Sequence, residues 1–144
     1  MICIGGDHAA FELKNHLRDK LIKKGYDVKD VGVDATISVN YPAYGEKVAR
    51  DVASGECEYG IVICGTGIGI SMAASRVKGI RCAVCTNTYM ARLARQHNNA
   101  NVIALGARVV GSGIAEEMVD VFLTTDFEGG RHAVRVAMLD EIKE

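Results

Sequence analysis

Five short apolar runs recur along this chain, and between them lie stretches whose apolar residues repeat at helical spacing. That alternation limits the fold more than any other feature. The runs Met1 to Gly5, Tyr59 to Cys64, Gly79 to Thr86 and Asn101 to Gly106 are mostly apolar, with little of the every-second-residue pattern of a half-buried strand, while Tyr26 to Val31 carries Asp27, Lys29 and Asp30 among its apolar residues. Strands buried on both faces read this way, and they belong to parallel sheets covered by helices on both sides. The expected architecture is α/β: a three-layer α/β/α sandwich on a five-stranded, parallel, Rossmann-like sheet. No boundary or repeat divides it, so a single domain should span residues 1–144.

The intervening segments supply the helices. The first follows a turn at Gly6-Asp7-His8, carries Phe11, Leu13, Leu17, Leu21 and Ile22, and stops at Lys23-Lys24-Gly25. Pro42 can open a second helix through Val48, Ala49 and Val52, after a segment from Gly32 to Tyr44 long enough to suggest a functional loop. A third should begin at Ser71 and run to about Val77. A fourth, from Asn87 to about Asn98, should turn Met90, Ala91, Leu93 and Ala94 inward. Ile114 to Leu123 and a last helix from about Arg131, carrying Val134, Met138, Leu139 and Ile142, complete the set.

Ligands of such sheets bind beyond the carboxyl ends of the strands, where neighbouring crossovers diverge. If the first strand lies beside the third, Asp7-His8 and Cys64-Gly65-Thr66-Gly67-Ile68-Gly69 face each other there. The second of these stretches is a strand end, a tight loop and a helix start with a thiol at the join. Backbone amides freed by glycine, together with a helix N-terminus, cradle anions, and such positions favour the thiolate of a cysteine. The loop therefore offers a base or nucleophile beside an oxyanion pocket.

Several chemistries fall away. Dinucleotide loops are spaced GxGxxG, whereas this one is GxGxG, and the next strand ends in Cys85-Thr86-Asn87 with no acidic residue for a ribose. The Gly-Lys-Ser/Thr of a Walker loop is missing, and Ile70 stands where a cysteine phosphatase would carry arginine. Cys82 and Cys85, three apart on a strand, point to opposite faces and make a poor metal or redox pair. Cys3, Cys57 and Cys82 read as packing residues. With net charge −1 and no basic stripe, nucleic acid is not an expected partner. No apolar run approaches membrane-spanning length, no signal-peptide pattern precedes the first strand, and five unpaired cysteines suit a reducing compartment, so a cytoplasmic protein is expected.

Arg131 and Arg135, four apart, should share one helix face just after Gly129-Gly130, and two guanidinium forks suit a phosphate dianion. Taken together, Gly6-Asp7-His8-Ala-Ala-Phe-Glu-Leu-Lys14, Cys64 to Gly69, His97-Asn98-Asn-Ala-Asn101 and Gly129-Gly-Arg131-His-Ala-Val-Arg135 resemble the type B ribose-5-phosphate isomerase family over essentially the whole chain. The resemblance implies an aldose–ketose isomerase working through an enediolate, without metal or cofactor. It implies Cys64 as the base, Thr66 and His97 in sugar-ring opening, and Asp7, Asn98 and Tyr41 as sugar contacts. The backbone from Gly65 through Gly67, Ile68 and Gly69 would hold the enediolate oxygens, and His8, Arg131 and Arg135 the phosphate, with Arg108 as a further contact. It also implies a homodimer, or a tetramer, in which His97, Asn98 and Arg108 reach the site from a neighbouring subunit. Asn40 stands where the family usually has aspartate, and His132 has no assigned role. The readings that stay open are ribose 5-phosphate isomerisation, the same chemistry on allose or galactose 6-phosphate, and a non-catalytic sugar-phosphate sensor.

Overall fold

A computed structural model of the chain describes residues 1–32 and 39–142; most of the expected functional loop between the second strand and second helix lies outside them. Five strands, β1 (Ile2–Gly6), β2 (Val28–Asp30), β3 (Tyr59–Cys64), β4 (Cys82–Val84) and β5 (Val102–Gly106), form one parallel sheet in the order β2-β1-β3-β5-β4. As the apolar runs require, β1 and β5 are buried along their whole length and β3 in all but its first residue, while the shorter edge strands are half-buried. The pairing of β1 with β3 sets Gly6 opposite Ile63, and Cys64 lies opposite Gly106 of β5. The placement of β5 inside β4 leaves no trace in local sequence.

Side-chain alternation along the strands builds two cores. Ile2, Ile4, Ile61, Ile63, Ile103 and Leu105 face helices α1 (Phe11–Lys23), α4 (Thr88–Gln96) and α5 (Ser112–Thr124). Cys3, Val62, Cys64, Val102 and Ala104 face α2 (Tyr41–Ala53) and α3 (Ile68–Ser75). Cys82 packs with the second core and Cys85 with the first, on opposite faces as expected. Burial pushes the Cys85 thiol up to about 11 and that of Cys82 to about 12.

Two helix readings need correction. Helix α3 begins at Ile68, not Ser71, because Gly67 takes the left-handed conformation at its N-cap (φ 83°) and its carbonyl already accepts from Ser71 N–H at 3.2 Å. On α4, Asn87 caps the first turn by accepting from Met90 N–H at 2.9 Å, and this register turns Ala91, Ala94 and Arg95 inward and leaves Met90 exposed. The last helix, α6 (Arg131–Glu141), starts where expected and presents Val134 (65% exposed) and Met138 (61%) to solvent, with exposed Ile142 just beyond it. Its buried residues are His132 and Val136; it meets the end of α4 through the stacked His97 and His132 rings, and Asp140 pairs with Arg81, just before β4, at 3.0 Å.

Candidate active site

At the carboxyl end of β3, Cys64 is 5% exposed and its Sγ accepts a hydrogen bond from Gly67 N–H at 3.2 Å. The loop between them closes over strand β5. The Cys64 carbonyl accepts from Ala107 N–H at 2.9 Å and that of Gly65 from Arg108 N–H at 3.0 Å. A Cβ at Gly106 would meet the Thr66 carbonyl oxygen at 2.6 Å, so only glycine permits that approach. Thr66 is exposed, and its Oγ1 accepts from Ile68 N–H at 3.2 Å. The amides of Gly69 and Ile70 lie in the first turn of α3, where an α-helix offers no internal acceptor. Tyr41, at the start of α2, covers this turn so closely that a Cβ at Gly69 would come within 2.7 Å of its ring.

Across from the loop, β1 ends in Asp7, whose N–H donates to the Ile63 carbonyl and whose Oδ1 caps a 3-10 turn at His8–Ala10 by accepting from Ala9 N–H at 3.0 Å. Nδ1 of His8 accepts from Val39 N–H at 3.2 Å. That bond assigns the tautomer: the proton sits on Nε2, which is then a donor. Arg108 completes the group, its guanidinium 3.1 Å from where a Cβ of Gly65 would lie. Thus Asp7, His8, Tyr41, Cys64 to Gly69 and Arg108 gather in one place within one chain, and Arg108 needs no neighbouring subunit to lie beside the glycine loop.

The remaining expected site residues are elsewhere. Helix α4 leaves the carboxyl end of β4 and runs back to the start of β5, so His97 and Asn98, which follow it, sit at the amino end of the sheet. The five steps from Asn101 to Gly106 alone span roughly 16 Å of strand. Arg131 and Arg135 accompany His97, since the His132 ring between them in sequence stacks on that of His97 (centroids 4.2 Å apart, planes at 10°). Glu128 Oε1 lies 3.7 Å from His97 Nε2 and 3.6 Å from His132 Nε2. These three side chains bring ligand-type atoms within 4.8 Å of one another. Two parallel imidazoles aim their lone pairs side by side, however, and a metal ion needs them to converge.

Glu128 and His132 were not legible as site residues: their own spacing is that of any helix pair, and the ring they touch is distant in sequence. The buried network around Lys14 was also hidden. Lys14 Nζ lies 2.9 and 3.0 Å from the two oxygens of Asp30, which also accepts from Arg18 at 2.8 Å and from Gly32 N–H at 2.9 Å. Burial pushes the Asp30 carboxyl up, but these donors together hold it below the usual range.

The chain is similar to known proteins along nearly its whole length. A family model described as Ribose/Galactose Isomerase matches residues 2–139. Ribose-5-phosphate isomerase B of Escherichia coli (strain K12) is 46% identical over 143 residues, covering 99% of this chain and 96% of that protein. D-erythrulose-4-phosphate isomerase of Pectobacterium atrosepticum is 46% identical over 136 residues, covering 94% and 90%. The solved structure of Clostridium thermocellum ribose-5-phosphate isomerase B superposes with a TM-score of 0.96 at 56% identity, covering 97% of this chain and 95% of that one.

Proposed function

The chain belongs to the ribose/galactose isomerase family, and on that footing we propose that it interconverts D-ribose 5-phosphate and D-ribulose 5-phosphate through an enediolate, with Cys64 as the base. The observation that carries the reading is the placement of Cys64 Sγ at the head of α3, held by the Gly67 amide and facing Asp7 across the β1–β3 crevice. Removing the C2 proton of an aldose requires a positioned base and donors aimed at the oxyanion that develops. Sγ takes that proton, the electron pair moves onto O1, and the negative oxygens meet the first-turn amides of α3. Return of the proton to C1, with exchange of a proton between the two oxygens, gives the ketose. Thr66 and His97 assist opening of the furanose, Asp7, Tyr41 and Asn98 contact the sugar, and His8 offers its Nε2 proton to the phosphate.

The working site is shared within a homodimer. His97, Asn98, Arg131 and Arg135 lie at the far end of the sheet from their own Cys64, which supports their delivery by a second copy. Exposed apolar side chains support the pairing: Tyr41, Ile68, Met72, Tyr89 and Val109 around the glycine-loop end, and Val134, Met138, Leu139 and Ile142 on α6. A two-fold contact between such unlike ends buries both and closes two sites at once. No helix among the described residues is long and apolar enough to cross a membrane, and the five free thiols suit the cytoplasm.

The test is turnover on aldose phosphates of four, five and six carbons, with wild type and Cys64→Ala. Ribose 5-phosphate should be the preferred substrate and the variant should lose turnover on it. A strong hexose preference, or a variant as active as wild type, would refute the assignment; tight binding without exchange of the C2 proton would mark a sensor.

A further inference from the structure

His132 lies one residue into α6 yet is turned into the protein, 8% exposed, against the half-exposed ring of His97. Separate stretches of chain build this arrangement. Arg95, in the last turn of α4, donates to the carbonyls of Thr125 and Ala100 and to Asn99 Oδ1, tying the link before α6 to the end of α4. Glu128 N–H donates to the Gln96 carbonyl at 3.1 Å, which brings its carboxylate to the edge of both rings. Gly129 and Gly130, with φ of 69° and 57°, then turn the chain so that α6 starts over His97. We propose that His132, with Glu128, is a positioning residue for His97: the stacked ring fixes the plane of the His97 imidazole and the carboxylate lies at its edge. This rests on the reading of His97 as a ring-opening group.

A half-exposed histidine at the end of a helix has two free torsions, whereas proton transfer to a sugar oxygen demands a set distance and direction. A flat ring packed beneath it removes that freedom. The charges agree. Burial, then His97, then Arg131 push His132 toward its neutral form, Arg135 adds to them, and Glu128 alone opposes. The titratable and charged groups facing His132 are thus His97 at the end of α4, Glu128 in the link, and Arg131 and Arg135 on α6 itself. A neutral His132 ring offers a flat face on which the His97 ring stacks without charge repulsion.

The experiment is a double-mutant cycle on ribose 5-phosphate with His132→Ala, His97→Asn and both, alongside His132→Phe. The alanine variant should lose about tenfold in kcat with KM changed less than about twofold, because orientation and not binding is lost. The phenylalanine variant, which keeps a flat face, should recover most of that loss. In the His97→Asn background, losing His132 should cost less than about twofold more, as expected for residues acting through one another. An equal loss in both backgrounds, no loss in the alanine variant, or no recovery with phenylalanine would overturn the proposal. Full turnover by His97→Asn alone would instead refute the role of His97.

Discussion

The backbone amide of Gly67 donates to Cys64 Sγ because Gly67 holds a φ of 83°, packed where a Cβ would lie 2.9 Å from the Leu105 carbonyl carbon. Base, donor and helix start are therefore fixed by one residue without a side chain. Gly67→Ala meets backbone that cannot step aside and a conformation costing about 1–2 kcal/mol for an L-residue. The loop should lift from β5 and carry the amide away from the sulfur, with kcat falling about a hundredfold while circular dichroism still reports a folded chain. Wild-type turnover in this variant would show that the amide does not orient the base.

A shared site makes a prediction by subunit mixing. Cys64→Ala and His97→Asn homodimers should each be nearly inactive, but unfolding and refolding them together should restore about a quarter of wild-type activity. Half the dimers are then mixed, and each mixed dimer regains one of its two sites. Activity staying at the sum of the two separate variants would place Cys64 and His97 in independent sites.

Ring opening can be separated from proton transfer by the length of the sugar. An aldotetrose 4-phosphate cannot close a furanose, because its O4 carries the phosphate. His97→Asn should therefore lose about 10²-fold or more on ribose 5-phosphate and far less on D-erythrose 4-phosphate, measured as kcat/KM for both. Equal losses on the two substrates would assign His97 to the enediolate step.

The Lys14–Asp30 pair should govern acid stability. Lys14 is 1% exposed, and Lys14→Met leaves a partly buried carboxylate short of a cation, costing about 3 kcal/mol at neutral pH in urea unfolding. The Asp30 carboxyl sits below its unfolded value of 3.8, so its stabilisation is complete above that pH and lost as pH falls through the folded value. Wild type should consequently lose more stability between pH 5 and 3 than Asp30→Asn does; equal slopes would remove Asp30 from the acid response.

The sequence reading and the structure agree where the signal is local. Five apolar runs became five parallel strands, and Gly6-Asp7-His8 faces Cys64 because β1 lies beside β3. Helix α6 begins at Arg131 as expected, and its exposed Val134, Met138 and Leu139 show that spacing reveals an apolar face without revealing what covers it. His132 could be given no role from sequence because its partner, His97, closes a different helix 35 positions earlier in the chain. The swap of β4 and β5 likewise depends on which strand can reach β3, which no short motif records.

Helix α4 carries His97 from one end of the sheet to the other, and in a shared-site dimer this has a genetic consequence. A chain defective only at Cys64 or only at His97 silences one site of a mixed dimer with wild type, and two alleles with opposite defects complement. A chain defective at both silences both sites, so it poisons the normal subunit it pairs with and behaves as a dominant allele.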